Sequence, residues 1–265
     1  MNTIQPIEIA RQTLRDEPRF TFTALLMFAL IVPTLIAFGL DSRTIDATNI
    51  WLKPLKFEVS IGVFLITLAF FARYLPNGMT SSRWYRLYSW VVIVCALVEM
   101  AWIMGASAFG VRSHFNTGPF MSQIYGFMGI VAVVLTSSSF VYGAAILWVK
   151  DRTGWMTSIA WGSMLTFVLT VITASRLAAN GGHFVGVPVT GAALPILGWS
   201  LEVGDLRIAH FLATHAMHLI PLAYIAIAKL PLGDQTGKIV IPISLVYVGL
   251  TGLTFMVALQ GLPIF

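Results

Sequence analysis

The chain has 265 residues, of which 57% are hydrophobic and only 10% are charged, and its mean hydropathy is +0.84. Soluble domains carry about 25% charged residues, and the core of such a domain could not bury this much apolar surface. The composition therefore excludes a water-soluble globule and predicts an all-α, polytopic membrane protein, with the bilayer as solvent for much of the chain.

Seven hydrophobic segments are long enough to cross about 30 Å of hydrocarbon, which takes about 20 helical residues. In chain order, the predicted spans are approximately 20–40, 55–75, 87–109, 121–149, 153–177, 207–229 and 239–262. We interpret residues 1–265 as a single transmembrane domain. The residues before the first span are polar and mixed in charge, and no small-residue cleavage site follows it, so we expect this span to remain in the mature protein.

The loops on the two sides of the predicted bundle differ in character. Those on the side of the N-terminus are short and basic, as expected for tight connections between antiparallel helices. On the opposite side, the segment 179–206 is long, rich in Gly and Pro, and also apolar. Because a solvated linker would be polar, we expect this segment to form a cap over the bundle or to re-enter it.

Basic residues are distributed unequally between the two sides. Ten lie on the N-terminal side and six on the other: Arg11, Arg15, Arg19, Arg73, Arg83, Arg86, Lys150, Arg152, Lys229 and Lys238 against Arg43, Lys53, Lys56, Arg112, Arg176 and Arg207. The positive-inside rule then predicts a cytoplasmic N-terminus and an extracytoplasmic C-terminus. Anionic headgroups and topology account for the basic balance, so no nucleic-acid partner is expected.

Several reaction classes have no support in the sequence. The single cysteine, Cys95, excludes internal disulfides, Cys-x-x-Cys redox chemistry and thiolate zinc sites. There is no Gly-rich phosphate loop and no Gly-x-Ser-x-Gly elbow, so neither an ATPase nor a serine hydrolase is indicated.

All the histidines lie on or near the predicted extracytoplasmic half; they are His114, His183, His210, His215 and His218. The last three lie about 4, 12 and 16 Å below the start of the sixth span, which predicts a pocket open to the outside. Their spacing is not His-x-x-x-His, so one helix does not supply the usual zinc pair. Axial ligands from separate helices suit haem b better, and copper, iron or zinc remain alternatives.

The histidines predicted as metal ligands are His114 paired with His210 or His215, with His183 as an alternate. The alternative interpretation is ordinary: an imidazole near a helix end is often an interfacial anchor or a hydrogen-bonded packing residue. Their convergence on one side of the membrane favours a site, because polar groups inside a bundle must find partners.

Glu99 is the only carboxylate well inside a predicted span, near the bilayer midplane. An unpaired charge there costs several kcal/mol, so Glu99 is expected to be protonated or to have a polar or cationic partner such as Arg176. A structural ion pair is one interpretation. The other is a catalytic role in moving protons between the midplane and the outer pocket.

Charged residues near the histidines complete the predicted cofactor-binding set. Asp205 is placed to cap the sixth span or to orient a histidine, and Arg112 and Arg207 lie where haem propionates would bind. Asn116, beside His114, belongs to the same set. Lys53 and Lys56 flank Pro54, where interfacial snorkelling is the expected role and anion binding the alternative.

Three segments carry a resemblance to a known family: Asn49–Phe57 (NIWLKPLKF), Ser113–Asn116 (SHFN), and Gly204–Phe211 (GDLRIAHF) followed by His215 and Ala216. They resemble a family of bacterial polytopic membrane proteins of uncharacterised activity, over most of the chain. The resemblance implies a bacterial inner-membrane location and no particular activity or cofactor. Its members often carry Gln at the position of His218, which favours His114, His210 and His215.

Three functions are consistent with this pattern. The first is a haem b or other redox-metal protein for electron transfer or quinol-linked chemistry, with Glu99 handling protons. The second is a zinc hydrolase in which Asp205 or Glu202 orients ligands or acts as base. The third is a transporter, sensor or assembly factor that binds a small anion or lipid through Arg112, Arg176 and Arg207. A homo-oligomer or a partner subunit is compatible with all three.

Overall fold

The computed structural model describes residues 6–115, 118–230 and 237–265, and it is all-helical, with 73% of residues in helices. Seven of its helices are long and apolar enough to cross a membrane. The helices in these ranges are α1 (Pro6–Asp16), α2 (Pro18–Leu40), α3 (Leu52–Phe71), α4 (Arg83–Ala108), α5 (Pro119–Leu147), α6 (Gly154–Asn180), α7 (Leu206–Ala228) and α8 (Val240–Leu259). The prediction of an all-α chain with seven potential spans is therefore confirmed.

The predicted spans agree with α2 to α8 to within a few residues. Two differences in the helix ends are important, at the start of α3 and at the end of α6. Helix α3 begins at Leu52, so its first turns include residues that the sequence analysis placed before the span. Helix α6 continues to Asn180, where Gly181 ends it in the left-handed conformation. The short α1 was not predicted; Arg73 holds it by donating to the Thr13 hydroxyl over 2.7 Å.

The apolar surface of α2 to α8 is mostly not covered by the chain itself. Only 17–44% of the residues in the most apolar window of each helix are buried. Large side chains such as Phe22, Leu245 and Val246 are more than half exposed. These helices are suited to contact with lipid, which is the solvent that the composition requires.

The chain divides into two compact units, and the boundary between them in the sequence falls within α5, between Ser138 and Ser139; the single transmembrane domain over residues 1–265 stays a prediction. In unit 1, α2 packs most extensively on α3, and α4 packs against α3. In unit 2, α6 packs most extensively on α7, which also contacts α8. Each unit therefore contains two tightly paired helices and a third that packs on the second.

A two-stranded antiparallel ribbon joins the first two of these helices in each unit. In unit 1, β1 (Thr44–Ile45) pairs with β2 (Thr48–Asn49); in unit 2, β3 (Phe184–Val185) pairs with β4 (Gly204–Asp205). The connecting segments have very different lengths, 11 residues at 41–51 and 25 residues at 181–205. The two units thus share the order helix, ribbon, helix, helix, and the longer segment in unit 2 corresponds in sequence to the predicted cap.

Helices α6 and α7 approach each other closely at Gly162. A Cβ at this position would lie 2.8 Å from the Ala216 carbonyl oxygen and 3.1 Å from the Met217 Cα. One turn further along α6, the Thr166 hydroxyl accepts a hydrogen bond of 2.8 Å from the Met217 backbone N–H. Small residues and interhelical hydrogen bonds of this kind hold helices together in lipid, where no hydrophobic force acts between them.

We expect Gly162→Ala to lower the free energy of unfolding in detergent by about 1–3 kcal/mol, because the added methyl group overpacks the contact. Thermal or chemical unfolding followed by circular dichroism measures the change. Gly252→Ala is the matched control, since Gly252 lies in α8 and a methyl group added there would come within 4 Å of no other helix in the described part of the chain. Equal stability losses in the two variants would contradict the close packing of α6 on α7.

Candidate functional site

Three ionisable side chains lie in a row in unit 1. The Lys53 Nζ atom is 2.9 Å from the His114 Nδ1 atom. The other ring nitrogen, His114 Nε2, is 3.9 Å from Oε1 of Glu99. An ammonium, an imidazole and a carboxyl group are thus connected across a short distance, and we call these three residues the proton array.

Each member of the proton array comes from a different part of unit 1. Lys53 lies in the first turn of α3, His114 lies in the segment after α4, and Glu99 lies within α4. Glu99 is nine residues before the end of α4, which places it about 14 Å along the axis from that end. The array therefore leads from the loop side toward the interior of the helical region.

The surroundings of His114 are mainly aromatic. Its ring centroid lies 6.0 Å from that of Phe57, 6.3 Å from that of Phe115 and 5.6 Å from that of Tyr125. Ser113 Oγ is 3.0 Å from His114 Nδ1, on the same nitrogen that faces Lys53. The rings restrict the imidazole while its two nitrogens face polar groups.

Glu99 is 3% exposed, and within the described ranges its Oε2 atom has no hydrogen-bond partner. The other carboxyl oxygen, Oε1, faces His114, which in turn contacts the ammonium group of Lys53. Arg176, which the sequence analysis offered as a partner cation, is an exposed residue of α6 in unit 2. The contact between Lys53 and His114 was not predicted; interfacial snorkelling was the expected role of this lysine.

A second carboxylate is buried inside a long apolar helix of unit 1, so the prediction that Glu99 is the only one well inside a span is wrong. Glu58 is fully buried, and the Thr34 hydroxyl donates to its Oε1 over 2.5 Å. Glu58 was placed at the edge of a span because the charges around Pro54 obscured the helix start. Proline in a first helical turn is common, and it could have indicated that α3 begins before residue 55.

The histidines of α7 are half-buried and form two separate contacts. His210 Nδ1 is 2.9 Å from the Thr173 hydroxyl of α6. His215 Nδ1 is 3.4 Å from His218 Nδ1, and the Phe211 ring lies 4.1 Å from the His215 ring. His183 lies just before β3, where its carbonyl accepts the Leu206 N–H at the start of α7.

The pair Thr173 and His210 corresponds in position to the pair Thr34 and Glu58. In each unit a buried threonine of the first paired helix, α2 or α6, bonds an ionisable residue of the second, α3 or α7. The threonine lies six or seven residues before the end of its helix, and the ionisable residue lies four to six residues after the start of the other. Neither threonine was predicted as a site residue. Threonine is common in membrane helices, so its presence does not indicate a functional site. The pairing of the helices is needed to show which hydroxyl contacts which ionisable group.

The predicted propionate-binding arginines both contact acidic residues of their own unit. Arg207 Nε donates to Asp205 over 2.9 Å, and its Nη2 also contacts the Gly198 carbonyl. Asp205 caps α7 by accepting from the Arg207 N–H over 3.0 Å. Arg112 forms an ion pair with Asp46. Asn116 lies outside the described residues.

Charged pairs also hold the segment 41–51 in unit 1. Arg43 contacts Asp41 over 2.7 Å, and the Trp51 indole N–H donates to the same carboxylate over 2.9 Å. The Arg43 guanidinium holds the pKa of Asp41 well below its usual range, with help from Trp51, and the ion pair raises the pKa of Arg43. A second contact, from Arg43 Nη2 to the Ala108 carbonyl, ties this segment to the end of α4.

The geometry fits a haem ligand at His210 better than at His114. Thr173 holds Nδ1 of His210, so Nε2 is the nitrogen that would coordinate iron, an arrangement usual for ligating imidazoles. In His114, one nitrogen faces Lys53 and the other faces Glu99, so ligation would have to displace one of these groups. Across the described ranges, no three His, Cys, Asp or Glu side chains are grouped to hold a metal ion.

Comparison with known proteins returned no match from protein-family models, from curated proteins or from solved structures.

The segment 181–205 is folded around Glu202. The Glu202 carboxylate accepts hydrogen bonds from the backbone N–H groups of Val189, Thr190 and Ala192 and from the Thr190 hydroxyl. These bonds, first that of the Thr190 hydroxyl, lower the pKa of Glu202 from its ordinary 4.5 to about 2. This carboxylate organises the loop, which is a different role from the base that a zinc hydrolase would require.

We expect the loop around Glu202 to open in acid. Because its pKa is lowered on folding, the carboxylate stabilises the loop above about pH 4.5, and this stabilisation is lost as the pH falls toward about 2. Hydrogen exchange of the Val189 and Ala192 amides measures the opening. In Glu202→Gln, these amides should have low protection factors at neutral pH, and the protection factors should change little with pH. Protection factors equal to those of the wild type would contradict the assignment.

Proposed function

We propose that the protein is a proton-coupled membrane transporter in which Glu99, His114 and Lys53 exchange protons between the helical interior and the loop side. The observation that carries this proposal is the proton array, with contacts of 2.9 and 3.9 Å from ammonium to imidazole to carboxyl. Ionisable residues within membrane helices are rare and costly, and they commonly mark ion pathways and proton relays.

The chemistry of the array follows from what each group can donate. A lysine ammonium has donors only, so His114 Nδ1 accepts from Lys53, and the neutral imidazole carries its proton on Nε2, facing Glu99. When Lys53 gives a proton to Nδ1, Nε2 can release its proton to the Glu99 carboxylate. One proton leaves Lys53, one arrives at Glu99, and His114 stays neutral with its tautomer changed.

The relay also requires that the gap to Glu99 be closed and that each of the three groups return to its starting state. The gap of 3.9 Å between Nε2 and Oε1 is longer than a hydrogen bond, so a bridging water or a small rotation of the ring must close it. Lys53 is half-buried in the first turn of α3, where it can recover a proton from the loop side. The array is restored when Glu99 has released the proton that it received and the ring has returned to its first tautomer.

The order of elements in the two units supports a transporter. Repeated helical units with parallel topology occur in several families of membrane transporters. Here a helix, a β-ribbon and two further helices follow one another in both units. The ionisable groups Glu58 and His210 have corresponding positions in these units, each bonded to a threonine of the preceding helix.

The proposed location is the bacterial inner membrane, with the N-terminus in the cytoplasm and the C-terminus outside. The excess of basic residues on the N-terminal side supports this orientation, and the resemblance to bacterial polytopic membrane proteins supports the location. On this orientation, Lys53 and His114 lie on the extracytoplasmic side, and the array delivers protons from that side to Glu99.

We expect Glu99 to titrate in concert with His114. Infrared spectra of the reconstituted protein, recorded over a pH series, should contain a protonated-carboxyl C=O band that Glu99→Gln removes. His114→Ala should shift the pH at which this band is lost, because it removes the group that exchanges protons with Glu99.

Glu58→Gln is the matched control, since Glu58 is a second buried carboxyl group and is bonded to Thr34 rather than to the array. Its band should be separate, and His114→Ala should leave the pH dependence of that band unchanged. A Glu99 band that responds to pH identically with and without His114 would contradict the relay.

The second candidate function is haem b or redox-metal binding for electron transfer or quinol-linked chemistry, which the contact of Thr173 with His210 favours. The bound group would supply the redox chemistry, and this chain would supply His210 as a ligand with Thr173 fixing its orientation. His114 is a poor second ligand, because its two nitrogens face Lys53 and Glu99.

If this second candidate is right, the purified protein will show a Soret band and sharpened α and β bands after reduction. His210→Ala should abolish them, whereas Thr173→Val should keep the absorption and shift the midpoint potential, because it removes only the hydrogen bond to the ligand. A colourless protein free of bound metal would contradict haem binding and leave the proton array unaffected.

A further inference from the structure

A polar recess of about 390 Å³ opens in unit 1, at the end that carries the N-terminal residues. The end of α1, the start of α2 and the start of α4 surround it. Its lining residues are Arg15, Asp16, Pro18, Arg19, Thr80, Ser81, Arg86 and Trp90. It lies in a different part of unit 1 from the proton array, whose residues do not contribute to it.

The recess has more positive than negative charge and an unused capacity for hydrogen bonds. Arg15 and Arg86 are exposed at its rim, and Arg19 contributes a third guanidinium to its wall. Glu17 binds Nε and Nη2 of Arg19, over 2.9 and 3.0 Å, but Arg19 Nη1 has no hydrogen-bond partner in the described part of the chain. Buried polar atoms without partners usually indicate a missing water, ion or ligand.

One anionic atom of the recess also lacks a partner. Asp16 Oδ2 is buried without a hydrogen-bond partner among the described residues. A simple anion would satisfy the arginines and be repelled by Asp16. A ligand that combines a phosphate with an ammonium group would satisfy both, because guanidinium groups bind phosphate in a fork geometry and a carboxylate accepts from N–H donors.

The position of the recess favours a lipid headgroup as the ligand that carries the phosphate and the ammonium group. It lies where the apolar helices α2 and α4 begin, and Trp84 and Trp90 near it are more than half exposed. Tryptophan is enriched at the headgroup level of membranes. A headgroup in the recess would have its acyl chains beside the exposed apolar surface of these helices.

We propose that this recess binds the headgroup of an aminophospholipid, with its phosphate at Arg15, Arg19 and Arg86 and its ammonium group at Asp16. Phosphatidylethanolamine has this headgroup. Phosphatidylglycerol offers the phosphate without the ammonium, and phosphatidylcholine offers a quaternary nitrogen without N–H donors. The three lipids therefore separate the contributions of the arginines and of Asp16.

Native mass spectrometry of the full-length, delipidated protein with each lipid added tests the proposal. We expect phosphatidylethanolamine to bind better than either other lipid, and Arg15→Gln with Arg86→Gln to weaken this binding about tenfold, because charge-assisted hydrogen bonds are lost. Asp16→Asn should abolish the preference for phosphatidylethanolamine over phosphatidylcholine.

Arg83→Gln is the matched control, because Arg83 is an exposed arginine at the start of α4 that does not line the recess. It should leave lipid binding unchanged, and circular dichroism confirms that each variant is folded. Equal binding losses for Arg83→Gln and for the double variant Arg15→Gln with Arg86→Gln would overturn the site. Displacement of the lipid by inorganic phosphate at equal concentration would instead assign the recess to a soluble phosphate ligand and overturn the lipid proposal.

Discussion

A polar group inside a bilayer has no water to bond, so a partner within the protein strongly stabilises it. This constraint explains the most specific contacts in the structure. Thr34 satisfies one oxygen of Glu58, Thr173 holds one nitrogen of His210, and His114 lies between Lys53 and Glu99. Each contact joins two segments of the same unit, so the ionisable groups also fix how the helices are paired.

Charged side chains also organise the segments outside the helices. Asp205 begins α7 as its cap and also binds Arg207, whose guanidinium reaches the Gly198 carbonyl. Glu202 gathers three backbone N–H groups and a hydroxyl. The segment 181–205 is therefore folded by two carboxylates. Arg207 has a structural role in this arrangement, through Asp205 and the Gly198 carbonyl.

The sequence predicts the fold well because hydropathy directly reports the number and length of spans, and α2 to α8 follow the seven predicted segments closely. Side-chain partners are less predictable. Lys53, Glu99 and His114 come from three segments, and their contact depends on how α3 and α4 are rotated, which spacing does not reveal. Glu58 was misplaced because Lys53 and Lys56 resemble a loop boundary, although α3 already begins at Leu52.

The most direct test of the proton array is a titration of His114 by ¹⁵N nuclear magnetic resonance, in the wild type and in two variants. Glu99→Gln removes a negative neighbour and should lower the titration midpoint of the imidazole, whereas Lys53→Met removes a positive neighbour and should raise it. The spectrum of the neutral form should show the proton on Nε2. Midpoints that are the same in all three proteins, or a neutral form protonated on Nδ1, would contradict the account.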